Sequence, residues 1–462
     1  MKFLLIRTVD QHENDKFSIS ASTQPPLGLL SIGATLESNN HDVQILDYSV
    51  ENISGKQLEN SILSSDAVGM SIYTNDRKSA VDTSRMIKEI DSDIPVIIGG
   101  PHCTYLQQDA LYDIPYADVS VAGEGEYVIL DLAKYIQGKK KLSDIHGVFY
   151  RDNGSIKSGK TIKVIDDLDS LPFPARHLVD KYDYGNSFLE FLYKKKMTSL
   201  STSRGCPFQC RFCARYSNII KEWRFRQRSA ENVVKEIQEL DEKYRSAWIV
   251  DENFLADNKR AHKIFDMLLE SGTNIDLSIE GARVDSADRK LYKKMKKAGV
   301  VFISFGIESG NQDVIDFYNK KFTLDKAREA VNLAREMNFF ICASFILGAP
   351  IETKQHIKNT IRFACSLPLD IASFGPFAYL KGSQLWDEAV KNNKISSDKY
   401  IVLPDSHKGL GNFTREEMIK NTIQAFKTFY FRPRYLLSQI HRSILRNDFS
   451  FLFNGWKFHS LI

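Results

Sequence analysis

Short apolar runs rich in β-branched residues alternate with stretches of helical spacing from the first residues of the chain. Phe3–Ile6, Val43–Leu46, Ala67–Ile72, Val96–Ile98 and Val119–Val121 read as buried strands. Leu27–Ser38, Arg77–Ile90 and Glu126–Ile136 between them read as helices. This order predicts an α/β domain with a doubly wound, Rossmann-like parallel sheet over residues 1–140. The pattern restarts near residue 198. Candidate strands are Ser199–Ser203, Ala247–Asp251, Ile275–Glu280, Val300–Gly306, Phe339–Ile346 and Ile371–Phe377, with helices such as Ser229–Tyr244, N-capped by Ser229, and Asp325–Met337. Six βα units over residues 191–395 predict a partial (β/α)6 barrel of the TIM type, with its chemistry at the carboxyl ends of the strands.

The region between them, 141–190, reads as a linker. It holds the turn signal Asp152-Asn153-Gly154 and the proline-rich Leu171-Pro172-Phe173-Pro174. Residues 396–462 read as a helical appendage, opened by a capping box at Thr414-Arg415-Glu416-Glu417.

Three cysteines follow the first barrel strand, Cys206, Cys210 and Cys213, in the spacing C-x3-C-x2-C. Three thiolates can hold three corners of a four-iron cluster and leave the fourth iron open to another ligand. A structural zinc site would want a fourth protein ligand, and the next histidine is His262. Cys103, Cys342 and Cys365 stand singly, so neither disulfides nor a second cluster is expected; lone cysteines of this kind fill core space.

The strand ends of the first domain carry Ser71-Ile72-Tyr73-Thr74, Gly99-Gly100-Pro101-His102 and Gly123-Glu124-Gly125-Glu126. Ligands bind beyond the carboxyl ends of such strands, and paired glycines allow close approach of a large planar or nucleotide-like molecule. No G-x-G-x-x-G follows the first strand, which disfavours the usual dinucleotide site.

Charge and hydropathy narrow the classes. With 62 basic and 58 acidic residues the net charge is only +4, and no nucleic-acid motif appears. No apolar run approaches the roughly 20 residues of a membrane span. Met1–Arg7 reads as a first strand and not as a leader, so a cytoplasmic, reducing location is expected. The appendage turns aromatic and basic after Glu417: Phe426, Phe429, Tyr430, Phe431, Arg432, Arg434, Tyr435, Arg442 and Arg446, then Phe449, Phe451, Phe453, Trp456 and Lys457. Asp448 is its one acid. Either these aromatics cap the barrel, or the surface rests on anionic lipid as a peripheral membrane contact.

The cysteine motif, with Phe212 before its third cysteine, resembles that of the radical S-adenosylmethionine (SAM) superfamily. Residues 1–140 resemble the cobalamin-binding domain fused to many such enzymes, through Pro25-Pro26-Leu27-Gly28-Leu29, Gly99–His102 and Ala122–Glu126. The joint resemblance covers roughly residues 1–400 and implies a 4Fe-4S cluster on Cys206, Cys210 and Cys213, with SAM on its open iron. It implies SAM contacts from Phe212, Asp251, Glu252, Arg283, Glu308, Ser309 and Gly348. Cobalamin contacts are implied for Gly28, Ser71, Tyr73, Thr74, Gly99, Gly100, Pro101, His102, Gly123, Glu124 and Glu126. The histidine-bearing D-x-H-x-x-G segment of many cobalamin proteins is missing, which leaves His102 as a poor stand-in for a lower ligand to cobalt. The implied reaction is reductive cleavage of SAM to a 5′-deoxyadenosyl radical, then methylation of an unactivated carbon through methylcobalamin. The alternative is a cyclisation or ring rearrangement without methyl transfer. A small-molecule or lipid-like substrate and a reductant such as flavodoxin or ferredoxin are the implied partners.

Overall fold

The computed structural model describes residues 1–10, 24–185, 196–446 and 449–452. The chain divides into two compact units. The first takes in the described residues up to Tyr184 together with Ile219–Trp223, and the second holds most of the remainder.

Five parallel strands form the centre of the first unit: β1 (Lys2–Arg7), β2 (Asp42–Asp47), β3 (Ala67–Ser71), β4 (Val96–Gly99) and β5 (Val119–Val121). Their spatial order is β2-β1-β3-β4-β5, so the winding reverses between β1 and β3. Helices α1 (Leu27–Glu37), α2 (Gly55–Leu63), α3 (Arg77–Ile90), α4 (Pro101–Leu106), α5 (Asp109–Asp113) and α6 (Glu126–Ile136) complete the crossovers. Phe3, Leu4, Leu5 and Ile6 are all buried, as a central parallel strand covered on both faces requires.

The segment read as a linker is folded through Tyr184. β6 (Val148–Asp152) and β7 (Ser155–Ser158) join the sheet antiparallel beside β5. Asn153 and Gly154 both have positive φ, which is the geometry of a tight hairpin turn. Val148 packs with Val119, Val121 and Ile145 in the core of this unit, so the hairpin extends the domain beyond residue 140.

The second sheet is wholly parallel, in the order β15-β14-β13-β12-β11-β8. Its strands are β8 (Met197–Leu200), β11 (Ser246–Ile249), β12 (Asp276–Ala282), β13 (Val300–Glu308), β14 (Phe340–Leu347) and β15 (Ile371–Pro376). Two short antiparallel ladders accompany it, β9 (Ser203–Arg204) with β10 (Arg226–Gln227) and β16 (Tyr379–Leu380) with β17 (Ile401–Val402). The helices are α7 (Ala230–Lys243), α8 (Asn258–Ser271), α9 (Arg289–Lys297), α10 (Gln312–Phe317), α11 (Leu324–Glu336), α12 (Lys354–Ser366), α13 (Gln384–Lys391), α14 (Arg415–Tyr430) and α15 (Pro433–Arg446). Ser229 caps α7 by accepting from the Asn232 amide, and Thr414 with Glu417 forms the capping box of α14.

Alternation along the strands separates two environments. Ile249, Ile279, Ile303, Phe305, Ile341, Ala343 and Phe374 face the helices in one large core. The opposite face lines the interior of the partial barrel. Its floor is aromatic: Trp248 lies 5.0 Å from Phe302, Phe302 6.2 Å from Phe340, and Phe340 5.2 Å from Phe451 between ring centroids. Above the floor the wall becomes small and polar, with Ser304 in register with Cys342, and Gly306, Ser344 and Ser373 side by side.

The stretch Ser199–Ser203 is not one strand. β8 stops at Leu200 because the Asp251 carboxylate captures the Thr202 amide and the Thr202 and Ser203 hydroxyls, each at 2.6 Å. That turn sets the origin of the cysteine loop.

Candidate active site

The cysteine loop is clamped at several points. Arg211 donates its amide to Tyr318 O, and its guanidinium reaches Phe317 O and Glu388. Asn319 donates to Gln209 O, and Arg215 to Phe208 O. Phe212 packs edge-on against the buried Tyr318, with centroids 4.8 Å apart. Cys206, Cys210 and Cys213 are half-buried at the carboxyl end of the barrel. Burial pushes the Cys213 thiol up to about 12, with Cys210, Glu252 and Cys206 adding to it. Burial, then Glu252 and Cys210, raise Cys206 against the Phe208 amide and Arg283. Thiols raised in this way give up their protons to the metal they bind.

Among the described residues, no three His, Cys, Asp or Glu side chains converge on a single metal ion. Three thiolates in one loop, with no fourth Cys or His in the sequence beside them, are a donor set that fits three irons of a 4Fe-4S cluster better than a closed zinc site.

The remaining strand-end residues split into engaged and open groups. Asp251 is buried and fully used by Thr202 and Ser203, which makes it an anchor of the loop. Glu252 beside it opens onto the mouth of the barrel. Loss of water around its carboxylate, then the charge of Asp251, raises its pKa against the pull of Arg215 and the Gly205 amide. Asn253 is 1% exposed, and neither its amide nitrogen nor its oxygen finds a partner. Buried amides are rarely left so, and a polar ligand would supply what is missing.

Arg283 does not present a free fork. Asp285 takes it in a bidentate pair at 2.9 and 2.8 Å, Lys320 O accepts from it, and the ring of Phe208 lies 3.7 Å below. One guanidinium nitrogen remains 3.9 Å from Cys210 Sγ. Its place is beside the thiolates, and the pairing with Asp285 leaves little of it for a ligand carboxylate.

Glu308 holds φ at +71°, a left-handed conformation that strains any residue but glycine. Its carboxylate forms a buried ion pair with Lys320 at 3.0 Å. Ser309 turns the other way, into a buried network with Thr360 and Asn311. Gly348, at φ +88°, donates to Glu352 at 2.5 Å, and a Cβ there would strike Met418.

Sequence reading missed Glu280. The register of β12 slips between Ile279 and Ala282, and Gly281 in the slip takes φ +67°. A Cβ on Gly281 would sit 2.7 Å from Glu252 O, so only glycine allows the two strand ends this close. Ser278 and Glu280 stand off the face that Leu277 and Ile279 give to the core, and Cys342 across the interior feels the Glu280 charge. Glu280 has no hydrogen bond or ion pair among the described residues, and burial alone raises its pKa. The buried Ser278 hydroxyl is likewise unpaired. Glu280 was legible only as the end of an apolar strand; the bulge that turns it inward is a three-dimensional fact.

In the first unit, Gly28, Tyr73 and Thr74 lie at the surface or near it, and Tyr73 is 56% exposed. Ser71, Gly99, Gly100, Pro101 and Gly123 are half-buried at the ends of β3, β4 and β5. A Cβ at Gly28 would meet nothing, whereas at Gly100 it would fall 2.9 Å from Ser71 Oγ and at Gly123 2.8 Å from Ile162. Gly100 and Gly123 thus serve protein packing, and Gly28 and Gly99 leave room. His102 is wholly buried between Thr74 Oγ1 at 3.3 Å and Asp113 at 3.4 Å, so it is not placed to ligate cobalt. Glu124 is also buried and accepts from the Ile165 amide at 2.5 Å; Glu126 is buried in the first turn of α6.

Residues 200–364 match the model of the radical SAM superfamily, and residues 19–133 match that of the B12 binding domain. Over 447 residues the chain is 30% identical to an uncharacterised methyltransferase of Pyrococcus horikoshii, covering 95% of both. The chain belongs to the cobalamin-binding radical SAM enzymes. Its cofactors are accordingly a 4Fe-4S cluster, SAM and cobalamin. This radical SAM enzyme is also 26% identical to the anaerobic magnesium-protoporphyrin IX monomethyl ester cyclase of Cereibacter sphaeroides, over 90% of this chain and 71% of the relative. Its fold is similar to that of the cobalamin-dependent radical SAM enzyme OxsB solved with aqua-cobalamin and SAM, with a TM-score of 0.73 and 18% identity. The match covers 92% of this chain and 65% of the longer OxsB chain.

Proposed function

We propose that the protein methylates an unactivated carbon of a small-molecule substrate by a radical route. The observation that carries this reading is the presence of both cofactor modules in one chain. An unactivated carbon has no lone pair with which to attack a methyl donor, so a hydrogen must first be removed and a separate carrier must then deliver methyl. When bound, the cluster and SAM supply the 5′-deoxyadenosyl radical and cobalamin supplies the methyl group.

The chain's own residues hold and orient. In this proposal Cys206, Cys210 and Cys213 carry the cluster, with Arg283 tempering the charge at Cys210. Glu252 and the unsatisfied Asn253 take the SAM ammonium, and Asp251 fixes the loop that presents them. Phe212 packs beneath the loop. Glu308, held by Lys320, faces the ribose, with Ser309 fixing the turn behind it. The Gly348 segment meets adenine through its backbone. Gly28, Ser71, Tyr73, Thr74, Gly99 and Pro101 line the cobalamin site, with Gly100, Gly123, Glu124 and Glu126 as its packed supports. Glu280 and Ser278 receive a hydrogen-bond donor of the substrate, since a part-buried carboxylate with no protein partner gains from a donor that displaces water. A small electron-transfer protein such as flavodoxin or ferredoxin would reduce the cluster, and a reducing cytoplasm suits both.

The test is anaerobic turnover with methyl-labelled SAM on a metabolite extract from cells lacking the gene. Label in a new product, together with 5′-deoxyadenosine, supports the reading. Formation of 5′-deoxyadenosine with an unlabelled cyclised product would replace it by ring formation.

A further inference from the structure

Helix α15 is built inside out. Its buried residues are Tyr435, Gln439, Arg442 and Ser443, a polar set at helical spacing. Its outward face carries Leu436, Leu437, Ile440, Ile444 and Leu445, which are 49%, 68%, 45%, 61% and 62% exposed. An ordinary surface helix shows the reverse arrangement. The polar face has an evident structural reason. Arg442 and Arg446 converge with Arg335 on the buried Asp370, while Tyr435 Oη donates to Asp370 O. Nothing in that arrangement requires the other face to be aliphatic, and a contiguous exposed apolar stripe marks an interaction surface.

We propose that the outward face of α15 rests on the surface of an anionic lipid bilayer. Charge selects this occupant. Between Glu417 and Asp448 the chain has no acidic residue, while Lys420, Lys427 and Arg434 are exposed on α14 and α15. An exposed aliphatic helix face, in a stretch that carries exposed cations and no acid, is complementary to acidic headgroups over acyl chains. A two-fold contact between copies would instead set these like charges against one another. The stripe is leucine and isoleucine, whereas protein interfaces are anchored by tryptophan, tyrosine and arginine. The helix has 14 residues, about 21 Å, too short to cross a bilayer and long enough to lie along one. Of the two readings of the aromatic residues, packing holds for Phe426, Phe429, Tyr430 and Tyr435, so the face proposed for lipid is aliphatic. Phe453, Trp456 and Lys457 lie outside the described residues.

The experiment is flotation of the full-chain holoenzyme with vesicles of phosphatidylcholine mixed equally with phosphatidylglycerol, beside vesicles of phosphatidylcholine alone. The expected result is flotation with the mixed vesicles, weaker at high salt. It should fall at least tenfold in the double variant Leu437→Glu/Ile444→Glu, whose iron and cobalamin content stay unchanged. Failure of the wild-type chain to float, or equal flotation of the variant, overturns the proposal. So does a dimer in solution that the variant dissociates, which would assign the face to a second copy.

Discussion

The two ends of the barrel satisfy their polar groups in opposite ways. At the amino ends of the strands, Asp370 is buried without any exposure and answered by three arginines and the Ile341 amide. Toward the carboxyl ends, buried Asn253 and part-buried Glu280 find no protein partner among the described residues. Burial opposes a charge in both places, but Asp370 is compensated by its arginines and Glu280 by no protein group among the described residues. The difference separates a part built for stability from one built to receive a ligand.

The largest effect tests the open end. Cys210→Ala should abolish SAM cleavage and strip iron from the purified protein, while cobalamin absorbance persists because its domain is separate. Retained cleavage would break the assignment. Next comes the closed end. Asp370→Asn leaves three arginines around a neutral amide and should destabilise the second unit by about 3–5 kcal/mol, read in chemical denaturation, with little loss of cobalamin affinity. Burial alone would raise the Asp370 pKa; Arg446, Arg335 and Arg442 reverse this and hold it below the usual value. Its contribution is therefore complete above the unfolded carboxylate pKa of about 3.9 and disappears as pH falls through the lower folded value. Wild-type denaturation midpoints should fall in that acidic window more steeply than those of Asp370→Asn.

Glu280→Gln sharpens the contrast from the other side. Because ionised Glu280 opposes folding near neutrality, the variant should keep or slightly raise the melting temperature while product formation falls at least tenfold. Equal losses of both would place Glu280 with the structural acids. Smallest is Ser229→Ala, which removes the cap of α7 and should cost about 1 kcal/mol with no change in turnover.

The sequence pattern carried most strands and helices to within a residue or two, β8 excepted, since the strands of the first sheet are continuously apolar and those of the second give an apolar face to the helices. It carried less of the site. The cysteine loop was legible because its spacing is local. Asp251 and Ser309 looked like ligand groups because nothing in the chain order shows that Thr202 and Thr360 reach them first. His102 and Glu124 misled for the same reason, their partners Asp113 and Ile165 lying 11 and 41 residues away. The turn Asp152-Asn153-Gly154 between two strand-like runs was legible within the linker, but nothing in chain order shows that the pair adds to the edge of the first sheet beside β5.

The aromatic floor also bears on approach to the interior. Among the described residues, Trp248, Phe302, Phe340 and Phe451 stack across the amino end of the barrel, so a small molecule does not thread the sheet lengthwise to reach Glu280. If substrate and product share the approach from the other end, product should act as a competitive inhibitor, which steady-state kinetics with added product would read.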